Sequence, residues 1–157
     1  MNVIHMFHDI SVIERSLLQS VAVPAESIAF FAFFASPTSA SATHQILAFD
    51  TVITNVGNAY HSHVGTFIAP RTGLYVFTWT IRMNHDNEHS TELVQNNNVV
   101  NSIYLYPKGI DGTITGTAVV YVDQGDDVFI RTGSRYITGG ILSDGDGRSS
   151  FAGWSLL

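Results

Sequence analysis

The chain has 157 residues, 45% hydrophobic and 13% charged, which is the size and composition of one folded domain with an ample core and excludes a disordered chain. A formal net charge of −6, with only seven Lys and Arg, excludes the clustered cations that sequence-independent nucleic-acid binding needs. Cysteine is absent, which excludes a disulfide framework, a thiolate nucleophile and a cysteine zinc cluster.

At the N-terminus no basic segment precedes a long apolar one, so no signal peptide is evident, and no apolar run approaches the roughly 20 residues of a membrane span. Ser11-Val12-Ile13-Glu14 has the form of a capping box, and Ile10, Ile13, Leu17 and Val21 recur at helical spacing until Val23-Pro24. The spacing predicts a short amphipathic helix over 11–21 within an N-terminal extension, 1–27. Both a tail packed on the domain and a small coiled-coil stub fit it.

From Ile28 to Leu157 the pattern is β throughout. Apolar runs of strand length alternate with "SPTSAS", "NVGN", "APRTG", "NHDNE", "NNN", "PKGIDG", "DQGDD" and "SDGDG". No helical period intervenes and no repeat of 20 to 50 residues is visible, so the segment predicts an all-β antiparallel sandwich or jelly roll of about ten strands. In "TFIAPRTGLYVFTW" the Pro-Arg-Thr-Gly turn predicts a hairpin. In its second strand Tyr75, Phe77, Trp79, Ile81 and Met83 share the core side, while Leu74, Val76, Thr78, Thr80 and Arg82 share the other. That second side begins apolar and ends polar, which implies cover from another surface. The closing strand repeats this, with Phe151 on one side and Ala152, Trp154 and Leu156 on the other.

Phe49, Asn55, Tyr60, Phe67, Gly73, Tyr75, Phe77 and Trp79 follow one another at a spacing that resembles the signature of the complement C1q globular-head family. Trp79 stands where that family has Phe or Tyr. "IAFFAFFAS", "YVDQGDDVFI" and "SSFAGWSLL" resemble the family's opening strand, its Gly-Asp turn and strand, and its closing strand, so the likeness spans about 28–157. Physical roles agree with it: Gly73 for the turn into a buried strand, Gly125 for an acidic turn, Gly153 for close approach of a ring or backbone. The aromatic residues of the signature read as core.

The resemblance implies the tumour necrosis factor-like jelly roll, a compact homotrimer, no enzyme activity and a secreted, extracellular location. The chain has no Gly-X-Y repeat and so no collagen stalk within it. Stand-alone heads of invertebrate innate immunity are often lectin-like, which makes a glycan-binding pattern-recognition lectin the leading expectation, with terminal sialic acid one candidate ligand. A cytokine-like or structural protein-binding trimer without glycan affinity is the alternative.

A sialate site calls for an arginine, an aromatic edge and polar groups for hydroxyls. Arg135 and Tyr136 in "GSRYITGG", together with Arg148, supply that chemistry on expected connections, with Arg71 and Arg82 next in line. For calcium, which some family heads bind in loops, only Asp111 in "YPKGIDG" and Asp144 and Asp146 in "SDGDG" are available, short of the six to eight oxygens required. No cofactor is required. In "HDNEH" His85 and His89 superficially resemble a zinc motif, but the acidic residue is misplaced and the Asn/Asp content suggests a loop instead of the helix that motif requires, and His61 with His63 gives two ligands where a site needs more. No nucleophile elbow, phosphate loop or metalloprotease helix is present.

Overall fold

A computed structural model of the protein describes residues 27–156; the helix expected over 11–21 and the terminal Leu157 lie outside the described residues. The described elements are all strands, twelve of them, arranged antiparallel in two sheets. At the centre of the seven-stranded sheet is β6 (Gly73–Met83). β9 (Gly112–Val122) pairs with its whole length on one edge; on the other edge lie β12 (Ser150–Ser155) and then β11 (Gly140–Leu142). β1 (Ala29–Phe33) and β3 (Thr51–Val56) continue outward from β12, and the two-residue β2 (Thr38–Ser39) lies beside β11. The second sheet runs β4 (Tyr60–His61), β5 (Thr66–Ile68), β10 (Asp127–Thr138), β7 (Glu88–Gln95) and β8 (Asn98–Leu105). The two elements above the expected number are accounted for by pieces of two or three residues, too short to leave a periodic pattern.

The predicted hairpin is a crossover. β5 belongs to the five-stranded sheet and β6 to the seven-stranded one. A two-residue hairpin turn needs positive φ at its centre, which neither Arg71 nor Thr72 has, and Pro70 has no N–H to give. Ala69 ties the connection elsewhere: its N–H donates to the Asp126 carbonyl at 2.9 Å and its carbonyl accepts from Gly125 at 2.8 Å. Gly125, at φ +90°, makes that acidic turn possible.

Alternation in β6 is as read. Tyr75, Phe77, Trp79, Ile81 and Met83 are buried to 1% exposure or less, and they meet Phe30, Phe49, Phe67 and Phe151 between the sheets. Phe30 stacks on Tyr60 at 4.8 Å and meets Phe151 edge-on at 4.9 Å, geometries that aromatic quadrupoles favour.

The signature residues have definite tasks. The Asn55 side chain brackets the Tyr60 backbone, accepting from its N–H at 3.1 Å and donating to its carbonyl at 2.9 Å. The buried Tyr60 hydroxyl in turn accepts from Phe49 N–H and donates to the Phe49 carbonyl. Burial holds that phenol well above its ordinary pKa. Trp79 fits because Gly116, its partner on β9, leaves room: a Cβ there would lie 2.5 Å from the indole ring. Its Nε1 donates to Thr91 Oγ1 across the core at 3.0 Å. Gly153 likewise yields to Phe77 and Phe30, both within 2.7 Å of where its Cβ would stand. Gly73 differs from expectation, for it has no positive φ and open space around it, so the turn does not demand a glycine there.

Candidate functional site

Because all strands are antiparallel, the connections after β1, β6, β8, β10 and β11 gather at one end of the sandwich, opposite Ser27 and Leu156. Arg82, Asp111, Arg135, Tyr136, Asp144, Asp146 and Arg148 lie at this distal end, whereas Arg71, His61 and His63 do not. The distal residues fall into three separate groups.

The first is built on a bulge in β10. That strand pairs with β7 at Thr132↔Thr91 and again at Ile137↔His89, so Gly133, Ser134, Arg135 and Tyr136 all stand against the single residue Ser90. Such an excess must arch out of the ladder. Gly133 packs on Ser90, with no space for a Cβ, and Tyr136 takes φ +57°, a conformation costly for a non-glycine residue. Arg135 and Tyr136 are exposed as expected, but within a strand instead of a free connection.

The Tyr136 ring rests 5.0 Å from that of Tyr104 on β8, tilted by 56°. Tyr104 donates to Glu88 Oε2 at 2.7 Å. This hydrogen bond is the main cause of a phenol pKa pushed up to about 12, so Tyr104 remains a donor locked to its carboxylate across the physiological range. Both rings are about half exposed. The patch therefore offers two fixed aromatic faces, a held carboxylate and the neighbouring Arg135. Tyr104 and Glu88 were missed in the sequence; the available signal was a large aromatic on the polar side of the alternating "NSIYLY".

The second group centres on Arg82, which donates to Asp144 Oδ1 and, at 3.3 Å, to Asp111 Oδ2. His85 Nδ1 lies 3.5 Å from the other Asp111 oxygen. The Asp144 carboxyl titrates below its usual range, first because it accepts from the Asp146 amide and further because of Arg82. Two of the three calcium candidates thus already share an internal cation, which a metal would have to displace. Among the described residues no three His, Cys, Asp or Glu side chains converge on a point. His61 and His63 are both exposed, with His63 in the turn beyond β4, while His85 is exposed and His89 buried, so neither pair converges.

The third is Arg148, placed over the Phe33 ring at 4.8 Å and donating to the Ala35 carbonyl at 3.2 Å. It sits on the rim of the seven-stranded sheet, and no contact joins it to Arg135 or Tyr136. The sequence grouping of these three residues is divided accordingly.

Beside these groups runs the outward side of the seven-stranded sheet. Ala29, Trp154, Val76 and Val119 stand in one register row, and Leu74 and Tyr121 pair in the next. Trp154, Val119, Tyr121, Leu74 and Leu156 are each more than two-fifths exposed. Toward the distal end the row becomes polar, with Thr80 bonded to Thr115 at 2.8 Å and Thr117 to Thr78 at 3.1 Å. Arg71, at the opposite end, donates to Ser155 Oγ.

The two-sheet antiparallel sandwich has the tumour necrosis factor-like fold. Its fold matches the globular domain of zebrafish complement 1qA (TM-score 0.61, 18% identity, 81% of this chain and 93% of that one). It also matches the Eiger TNF of S. frugiperda (TM-score 0.66, 14% identity, 85% and 94%). Residues 29–156 match the C1q domain, and the chain belongs to the C1q domain family. Human complement C1q tumor necrosis factor-related protein 3 is 36% identical over 136 residues, covering 85% of this chain and 53% of that protein. The heavy metal-binding protein HIP of Mytilus edulis is 29% identical over 102 residues, 64% of this chain and 48% of that one. The chain thus spans about half the length of these relatives. Heads of this non-enzymatic family typically form trimers.

Proposed function

We propose that the chain is an extracellular recognition head that assembles as a homotrimer and binds glycans, terminal sialic acid among them, through the bulge of β10. One observation carries the reading: the half-exposed Tyr104–Tyr136 pair, with Tyr104 bonded to Glu88 and the exposed Arg135 preceding Tyr136 in the bulge. Aromatic faces stack on the apolar side of a sugar ring, a carboxylate accepts from its hydroxyls, and a guanidinium pairs with an acidic substituent. Homotrimer formation is supported by the apolar outward face of the seven-stranded sheet, where Leu74, Val119, Tyr121 and Trp154 are exposed as neighbours. Metal binding, named for the mussel relative, is not extended to this chain, because among the described residues no ligand set converges.

A glycan array tests the proposal. Binding to sialylated glycans that persists at high salt and falls for the Arg135→Ala variant is the expected result. Silence across the array, with retention of a protein partner, would replace it with the protein-binding trimer.

A further inference from the structure

His89, the second residue of β7, is 1% exposed and points into the sandwich at its distal end. Its Nε2 lies 3.1 Å from the Gly139 carbonyl. A carbonyl only accepts, so Nε2 carries the proton, and Nδ1 is left as a bare lone pair that is buried without a partner. Burial depresses the imidazole pKa, and the Gly139 carbonyl offsets this only in part.

The position gives this histidine leverage over the bulge. After the excursion of residues 133–136, β10 returns to β7 only at Ile137↔His89 and Thr138↔Glu88. Two side-chain bonds reinforce the return: Glu88 N–H to Thr138 Oγ1 at 3.0 Å, and His89 Nε2–H to the Gly139 carbonyl. Gly139 itself, at φ +80°, has the Asn87 side chain where a Cβ would stand, so its conformation is set on both sides.

Among the described residues no group is placed to accept a hydrogen bond from a protonated Nδ1, and on the far edge of β10 the 40–46 segment, bonded to Thr132 and Gly133, carries only the exposed His44 as a titratable group. On β7, Glu88 and Glu92 are on the opposite face, committed to Tyr104 and Arg131. On β10, Arg131 and Arg135 point outward; β8 carries no charged residue from Asn98 to Leu105. In the turn before β7, His85 and Asp86 are exposed, with His85 turned to Asp111. The seven-stranded sheet contributes Met83 and Ile141 to this end of the core, while Arg82 and Asp144 pair on its other side.

We propose that His89 is a proton-sensitive latch on the 133–139 segment, holding the bulge in place when neutral and releasing it when protonated. The sign follows from linkage. An opened segment frees the imidazole to titrate near its ordinary value of about 6.5, whereas the closed one resists protonation. Closure is fully favoured above that value. As pH falls below it, closure weakens by at most about tenfold per pH unit until the closed state also protonates. Because Arg135 and Tyr136 ride on this segment, the ligand patch would lose its order in acid; that consequence rests on the proposed glycan site, the latch does not.

Hydrogen exchange of the full chain at pH 7.5 and 5.5, corrected for intrinsic rates, tests the latch without any ligand. Protection of 137–139 is expected to fall by up to about tenfold in acid while β6 and β12 keep theirs. His89→Gln, whose amide can donate to Gly139 without titrating, should show no such fall. Equal protection at both pH values in the wild type, or the same fall in the variant, overturns the proposal. Should the variant not fold, the wild-type imidazole resonance decides: a His89 midpoint below the ordinary histidine value of about 6.5, shared by the amides of 137–139, supports the latch, and a midpoint without amide change overturns it. Sialyllactose affinity at the two pH values reads the patch separately. Absence of binding at pH 7.5 with opening intact removes the glycan reading alone.

Discussion

On the outward side of the seven-stranded sheet Val76, Val119, Tyr121 and Trp154 stand close together, and the first charged side chain met along β6 is Arg82 at its far end. The outward side of the five-stranded sheet carries Glu88, Glu92, Arg131 and Arg135, with the Arg131–Glu92 pair at 2.8 Å near its middle and a strained bulge at its end. The first side is apolar over its proximal half, where β6 pairs with β9 and β12 in unbroken register, the properties that let a copy of the chain pack against it. The second is charged and locally irregular, the properties that keep a surface in water and let it grip a small polar ligand. On the proposed reading, one sandwich separates assembly from recognition by giving each its own sheet.

The largest effect is expected where both sheets depend on the same core. Phe151→Ala, between Phe30, Phe49 and Phe77, should cost about 3–5 kcal/mol in urea unfolding. A change on the outward side, such as Thr115→Ala, should stay within about 0.5 kcal/mol. Next, Trp154→Asp places a charge in the middle of the apolar row. Light scattering at micromolar concentration should then give the monomer mass where wild type gives three times that mass, with far-UV circular dichroism unchanged; a trimeric variant would show that this face is not the interface. The smallest effect is expected for Arg148→Ala. Its side chain belongs to the Phe33 rim, so calorimetric titration with a sialoside should find affinity within about twofold of wild type. A large loss would join the two regions that the structure keeps apart.

What was legible in the sequence follows from the range of the interaction that decides it. The face of β6 could be read because alternation is local, and Trp79, which departs from the family's Phe or Tyr, kept its place in the core. The partner that makes room for it, Gly116, lies one sheet ladder away and left no trace in the spacing. The turn at Pro70 was read as a hairpin because local chemistry cannot show that Ala69 bonds to the turn at 125–126. The same holds at the candidate site. Arg135 and Tyr136 could be picked out as polar and aromatic residues among glycines, but their strand, its bulge and the pairing with Tyr104 arise from two long-range ladders. Asp111 and Asp144 were weak calcium candidates on their sequence context alone, and the sequence could not show that Arg82 of β6 stands between their carboxylates in space.

The most direct test of the recognition claim is the affinity of wild type, Arg135→Ala and Tyr136→Ala for a sialoside and for its neutral analogue lacking the carboxylate, at pH 7.5. The wild type should prefer the sialoside, Arg135→Ala should lose that preference by about tenfold to a hundredfold, and Tyr136→Ala should weaken both sugars, all with unchanged melting temperature. Equal affinity of all three proteins for the sialoside, or equal affinity of the wild type for both sugars, would contradict the assignment of acidic-glycan recognition to the β10 bulge.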